Sequence, residues 1–76
     1  MKEKISSLIG QNLEYDSLNV DGSDSKYTVN IISEAFNGKS TIDRHKMIYA
    51  IVDKYIKTGE IHALTIKAST LGESKK

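Results

Sequence analysis

The stretch Phe36–Leu64, FNGKSTIDRHKMIYAIVDKYIKTGEIHAL, decides the reading of this chain and holds both of its histidines. Its middle is a helix with both ends marked. Ser40 followed three residues later by Asp43 resembles a capping box, with Asp in place of the usual Glu or Gln, and the carboxylate suits the positive end of the helix dipole. Lys54 and Lys57 lie in the last turn, and Gly59 suits the left-handed position just beyond it, which bounds the helix at about Thr41 to Thr58. On a helical wheel Met47, Ile48, Ile51, Val52 and Tyr55 cluster on one side, while Asp43, Lys46, Asp53 and Lys57 occupy the other. The apolar side must face a sheet.

After Gly59 the pattern changes to alternation. His62, Leu64, Ile66 and Ala68 point to one face of a final strand, and Ile61, Ala63, Thr65 and Lys67 to the other. Upstream of the helix, Ser33–Phe36 reads as a single helical turn closed by Asn37-Gly38, a pair that readily adopts positive φ. Leu18 and Val20 alternate with Ser17, Asn19 and Asp21, then Asp21–Ser25 supplies turn chemistry, and Tyr27, Val29 and Ile31 alternate again. This predicts a hairpin with one buried face. Ile5, Leu8, Ile9 and Leu13 give an opening helix within 1–13, weakened by Gly10. The order α-β-β-α-β, with a right-handed crossover from the second strand to the third, predicts an α/β (α+β) fold with helices on one face of a three-stranded mixed sheet.

Seventy-six residues accommodate one domain, of which only roughly 60% of the unfolded surface can be buried. With no cysteine there is no disulfide, thiol nucleophile or thiolate ligand, so soft-metal chemistry needs sulfur from a partner. No apolar run approaches the roughly 20 residues that span a bilayer, and no signal-peptide core follows Met1-Lys2-Glu3-Lys4, so the expectation is a soluble cytoplasmic protein without membrane attachment. Eleven basic and ten acidic residues leave a formal charge of +1, which excludes a broad field for a phosphate backbone. Residues 72–76, ending in Ser74-Lys75-Lys76, read as a solvated, disordered tail.

Three separated segments, Phe36–Ser40, Arg44–Tyr49 and Ile61–Leu64, occur in an order and spacing that resemble the BolA family, and the resemblance runs from about Leu18 to Glu73. It implies a single BolA-like domain over 1–76 with a KH-like fold of the second class. It also implies a non-catalytic partner of a monothiol glutaredoxin in iron-sulfur cluster or iron homeostasis, with transcription regulation and stress response as associated roles. In the family, the histidine matching His62 is implicated as a ligand to a [2Fe-2S] cluster shared with a glutaredoxin, whose cysteine and bound glutathione supply the sulfur. No intrinsic cofactor is implied. BolA-like proteins commonly carry a second histidine or a cysteine in the loop between the first two strands, where this chain has Lys26, a protonated amine with no free lone pair at neutral pH. The resemblance pairs Arg44 and His45 with Ile61 and Ala63 as a partner-binding surface beside His62.

An imidazole ligates iron or zinc through one nitrogen while the other is oriented by a carbonyl or carboxylate, and His62 is the metal-ligand candidate. Arg44 falls on the apolar side of the wheel, so its stem packs while its guanidinium reaches a carboxylate, a carbonyl or an anionic group. The alternative function is a KH-like nucleic-acid-binding regulator that holds DNA or RNA through Lys39, Arg44 and Lys46. KH domains clamp the backbone with two glycines spaced by two residues, and Asn37-Gly38-Lys39-Ser40 has only Gly38. Nothing in the spacing of serines, threonines and histidines marks an activated nucleophile, so no enzyme activity is expected.

Overall fold

Alternation in the first half of the chain becomes an antiparallel hairpin in the computed structural model, which describes residues 1–75. Strand β1 (Ser17–Ser23) pairs with β2 (Lys26–Ile32) in a register that sets Leu18 opposite Ile31 and Val20 opposite Val29. Strand β3 (Ala63–Ser69) adds to β2 in parallel, with Val29 opposite Ile66, giving the sheet order β1-β2-β3. Two helices, α1 (Lys2–Asn12) and α2 (Thr41–Lys57), pack with this sheet, a 3-10 turn at Glu34–Phe36 leads from β2 toward α2, and a short helix α3 (Leu71–Ser74) ends the chain. The expected α-β-β-α-β order and mixed sheet are therefore present.

The core follows from two periodicities meeting. Val29, Ile31 and Ile66 share one face of the sheet, and Ile5 and Ile9 of α1 with Ile48 and Val52 of α2 cover it; each of these seven is 7% exposed or less. Burying each such side chain contributes about 1.5–3 kcal/mol. The opposite sheet face carries Asn19, Asp21, Thr28, Asn30, Thr65 and Lys67, which explains why it needs no cover. Helix α2 begins where its capping residues place it, with Ser40 Oγ accepting from the Asp43 N–H at 3.2 Å, and ends one residue before the expected Thr58. Gly59 follows at φ +83°, the left-handed conformation expected there.

Three expectations are corrected. The hairpin turn is not the five-residue Asp21–Ser25 segment. Pairing continues to Ser23 and Lys26, leaving Asp24 and Ser25 at φ +52° and +68°, the two positive angles of a type I′ turn whose twist matches the strands. Secondly, strand alternation does not extend back to Ile61. The Ile61 N–H donates to Tyr55 O at the end of α2, the side chain is 3% exposed in the core, and regular pairing starts at Ala63. Thirdly, residues 72–75 are not a disordered tail: Thr70 and Glu73 form a reciprocal capping box that starts α3. Lys76 lies outside the described residues.

Gly22 provides a direct check on the hairpin. At φ +121°, a Cβ there would lie 2.1 Å from the Lys26 carbonyl oxygen and 2.8 Å from Tyr27 Cα. Since the obstacles are backbone atoms, no rotamer relieves them. Gly22→Ala is expected to destabilise the fold by more than the roughly 1–3 kcal/mol of backbone strain alone, read as a lower urea midpoint, whereas Gly38→Ala, with open space around it, loses only its φ preference.

Candidate functional site

His62 stands at the meeting point of two turns. Its N–H donates to Ser25 O at 2.7 Å, and the next N–H, from Ala63, donates to the same carbonyl at 3.1 Å, so the tip of the β1–β2 hairpin anchors the entry to β3. The type I′ turn exists because Asp24 and Ser25 tolerate positive φ, and it is this turn that points the Ser25 carbonyl at His62. On the other side Gly59 brings its backbone close to the imidazole: a Cβ on Gly59 would lie 3.8 Å from His62 Nε2. The side chain of His62 is exposed, as are Lys26 and Ala63, which pair across β2 and β3. The result is a fixed backbone that presents an accessible imidazole.

The residues expected to form one partner surface do not lie together. His45 is half-buried in the first turns of α2, whereas His62 follows the last turn, and the helix rises roughly 18 Å between His45 and Lys57. Arg44 bonds to the carbonyl of Ala68, and β3 rises roughly 20 Å between His62 and that residue. Ile61 is in the core and offers no side chain to a partner. Of the expected set, Ala63 alone is accessible beside His62.

Arg44 is instead an internal clamp whose partner sequence reading missed. Its side chain is 10% exposed; Nη1 and Nη2 donate to Glu73 Oε1 and Oε2 at 2.6 and 3.0 Å, Nη1 also to Ala68 O at 3.2 Å, and Nε to Lys39 O at 3.0 Å. The guanidinium lies 5.9 Å from the centre of the Phe36 ring. With four of its five N–H groups engaged within the chain and its side chain buried, Arg44 is not presented to a nucleic acid, and of the three basic candidates only Lys39 and Lys46 are exposed. The signal for Glu73 was present: Thr70 three residues before a Glu is a capping-box spacing.

The clamp has a pH signature. The hydrogen bonds from Arg44 and, next, the Thr70 N–H hold the Glu73 carboxyl at about 2, against an ordinary 4.5. A depressed folded value means that its contribution is fully present above pH 4.5 and is lost as the pH falls toward 2. Thermal melts of Glu73→Gln should therefore decline less steeply than the wild type between pH 4.5 and 2; parallel curves would show that the clamp does not govern acid stability.

As for metal binding, His62 offers one nitrogen, Lys26 beside it no lone pair, and Asp21 and Asp24 only hard oxygens, poorly suited to iron-sulfur centres. Among the described residues no group of three His, Cys, Asp or Glu side chains is arranged to hold a metal ion. A [2Fe-2S] cluster therefore fits only as a shared group to which this chain adds a single ligand. No helix among the described residues is long and apolar enough to cross a membrane.

Comparison with known proteins agrees with this architecture. A family model described as "BolA-like protein" matches residues 9–73. The acid stress protein IbaG of Escherichia coli K12 is 31% identical over 70 residues, which are 92% of this chain and 83% of that protein. SufE-like protein 1 of Arabidopsis thaliana is 40% identical over 53 residues, 70% of this chain but 14% of that much longer protein. Among solved structures, the BolA domain of SufE1 from Arabidopsis thaliana superposes with a TM-score of 0.87 at 30% identity, covering 95% of this chain and 93% of that one, and yeast Fra2 with 0.73 at 28% identity, covering 99% and 80%. With the α-β-β-α-β order and a family match over residues 9–73, most of the chain, the protein belongs to the BolA-like family.

Proposed function

We propose that this chain is a non-catalytic cytoplasmic adaptor that binds a monothiol glutaredoxin and takes part in iron-sulfur cluster or iron homeostasis, with His62 as its one ligand to a shared [2Fe-2S] cluster. The observation that carries the reading is the accessible imidazole on a backbone fixed by two hydrogen bonds to Ser25 O, in a chain that has no cysteine of its own. Glutathione and the glutaredoxin cysteine supply the remaining soft ligands; this chain's part is to orient one nitrogen at a stated place. The surface engaged is the His62 end, with Ser25, Lys26 and Ala63, rather than the start of α2.

The test is a titration of isotope-labelled chain with cluster-loaded monothiol glutaredoxin, followed by NMR. Signals of Ser25, Lys26, His62 and Ala63 should shift first, and those of Arg44 and His45 least. An unchanged spectrum at micromolar excess sinks the proposal, and changes centred on Arg44 and His45 would move the interface to the other end of α2.

A further inference from the structure

The two edges of the sheet are treated differently. Because the Ala63 N–H donates to Ser25 O and the Ser33 N–H to Ser69 O, odd-numbered residues of β2 and β3 face each other along the parallel ladder. Leu64, Ile66 and Ala68 therefore turn their backbone groups outward on β3. Two carbonyls on that edge are taken by side chains of α2: Tyr49 Oη donates to Leu64 O at 3.2 Å and Arg44 Nη1 to Ala68 O at 3.2 Å. The same parity leaves the even-numbered residues of β2 facing β1, so Ser17, Asn19, Asp21 and Ser23 bond inward and Leu18, Val20 and Gly22 turn outward. Gly22 N–H is taken by Asp21 Oδ1 at 2.9 Å. The N–H and C=O groups of Leu18 and Val20 have no such partner among the described residues.

These free groups border an open groove of about 500 Å³ between β1 and α1, walled by Lys2, Glu3, Ser6 and Ser7 and floored by Leu18, Asn19 and Val20. Exposed strand edges carry a row of unsatisfied donors and acceptors and are blunted where pairing is to be avoided, by proline, lysine or a covering element. Edge β1 has neither Pro nor Lys, and its one charge is Asp21.

We propose that β1 pairs antiparallel with β1 of a second copy of this chain, about a two-fold axis through Asn19, to form a continuous six-stranded sheet. In this register Leu18 and the partner's Val20 exchange two backbone hydrogen bonds, and Val20 and the partner's Leu18 two more, so all four free groups on each copy are used. Their side chains meet below the two α1 helices, which lie on the same side of the sheet because the axis is perpendicular to it. Asp21 falls opposite the partner's Ser17, so no like charges are opposed, and a formal charge of +1 adds little repulsion. A register centred on Val20 would call on Gly22 N–H, which Asp21 already holds, and one centred on Asp21 would oppose two carboxylates. The seam is short and belongs to the weak, transient class, below about 1,200 Å² in total.

Sedimentation equilibrium from about 0.02 to 1 mM should show the mass rising toward twice that of the chain, with the Leu18 and Val20 amides gaining exchange protection in parallel. Asn19 is exposed, and in this register it faces its own copy in a non-hydrogen-bonded pair, where side chains are closest. Asn19→Lys and Asn19→Asp should each abolish association while circular dichroism stays native, and an equal mixture of the two should restore it as a mixed dimer. A wild-type chain that remains monomeric at 1 mM overturns the proposal. So does association that survives both substitutions unchanged, which would place the contact elsewhere, or protection of Leu18 and Val20 by an added strand-forming peptide without self-association, which would assign the edge to a different chain.

Discussion

Phe36→Ala is expected to remove a large share of the chain's stability at 25 °C. Phe36 is the largest fully buried side chain, at 0% exposure, and it occupies the turn through which the chain passes from β2 to α2. Truncating such a ring costs about 3–5 kcal/mol, the lost transfer term plus the cavity left behind. At about 0.05–0.15 kcal/mol per residue, a chain of this length has roughly 4–11 kcal/mol in all. The substitution therefore removes a large share of the total, and it also withdraws the ring beneath the Arg44 guanidinium. With an m-value of about 1 kcal/mol/M, the urea midpoint should fall by roughly 3 M or more. Phe36→Leu, which keeps most of the volume, should cost less than about 1.5 kcal/mol. A Phe36→Ala variant within about 1 kcal/mol of the wild type would show that the site collapses freely around the loss.

His62→Ala is expected to separate function from fold. The substituted side chain is exposed, and the bonds that hold this segment, from the N–H groups of residues 62 and 63 to Ser25 O, belong to the backbone and survive. Stability should change by less than about 0.5 kcal/mol, as for surface positions away from packing or capping. The visible spectrum of the mixed cluster formed with a glutaredoxin should be lost or strongly altered, because the chain has no cysteine and its other histidine, His45, lies in the first turns of α2. The comparison counts only with native far-ultraviolet circular dichroism. A wild-type cluster spectrum from this variant would mean that the ligand is not His62.

The two substitutions differ in how far their consequences were legible from residues alone. The bounds of α2 were readable because helix ends are set by neighbours in sequence: Ser40 caps Asp43, and Gly59 takes the left-handed angle. The buried faces of β1, β2 and α2 were readable for the same reason, since periods of 2 and 3.6 sort side chains before any partner is known. His62 stood out through its neighbours and the family resemblance, and its place at the open beginning of the final strand already pointed to an exposed imidazole, as the structure has it.

What sequence by itself determined, then, was the element order, the apolar stripes that make one layer of helices on one sheet, and the membership that Phe36–Leu64 already suggested. Tertiary structure decided the rest. Whether Ile61 or His62 turns inward depended on where the ladder begins, and that is set by the hairpin tip arriving at the end of α2. Whether Arg44 meets a partner or its own chain depended on Glu73, 29 residues away, being folded back by a capping box onto the start of the helix. How far each sheet edge is taken up depended on Tyr49 and Arg44 reaching two carbonyls of β3, while on β1 the Gly22 N–H is held by Asp21 of the same strand. Local patterning encodes which surfaces must be buried. Only the closed fold determines which polar groups have already found each other and which remain for another molecule.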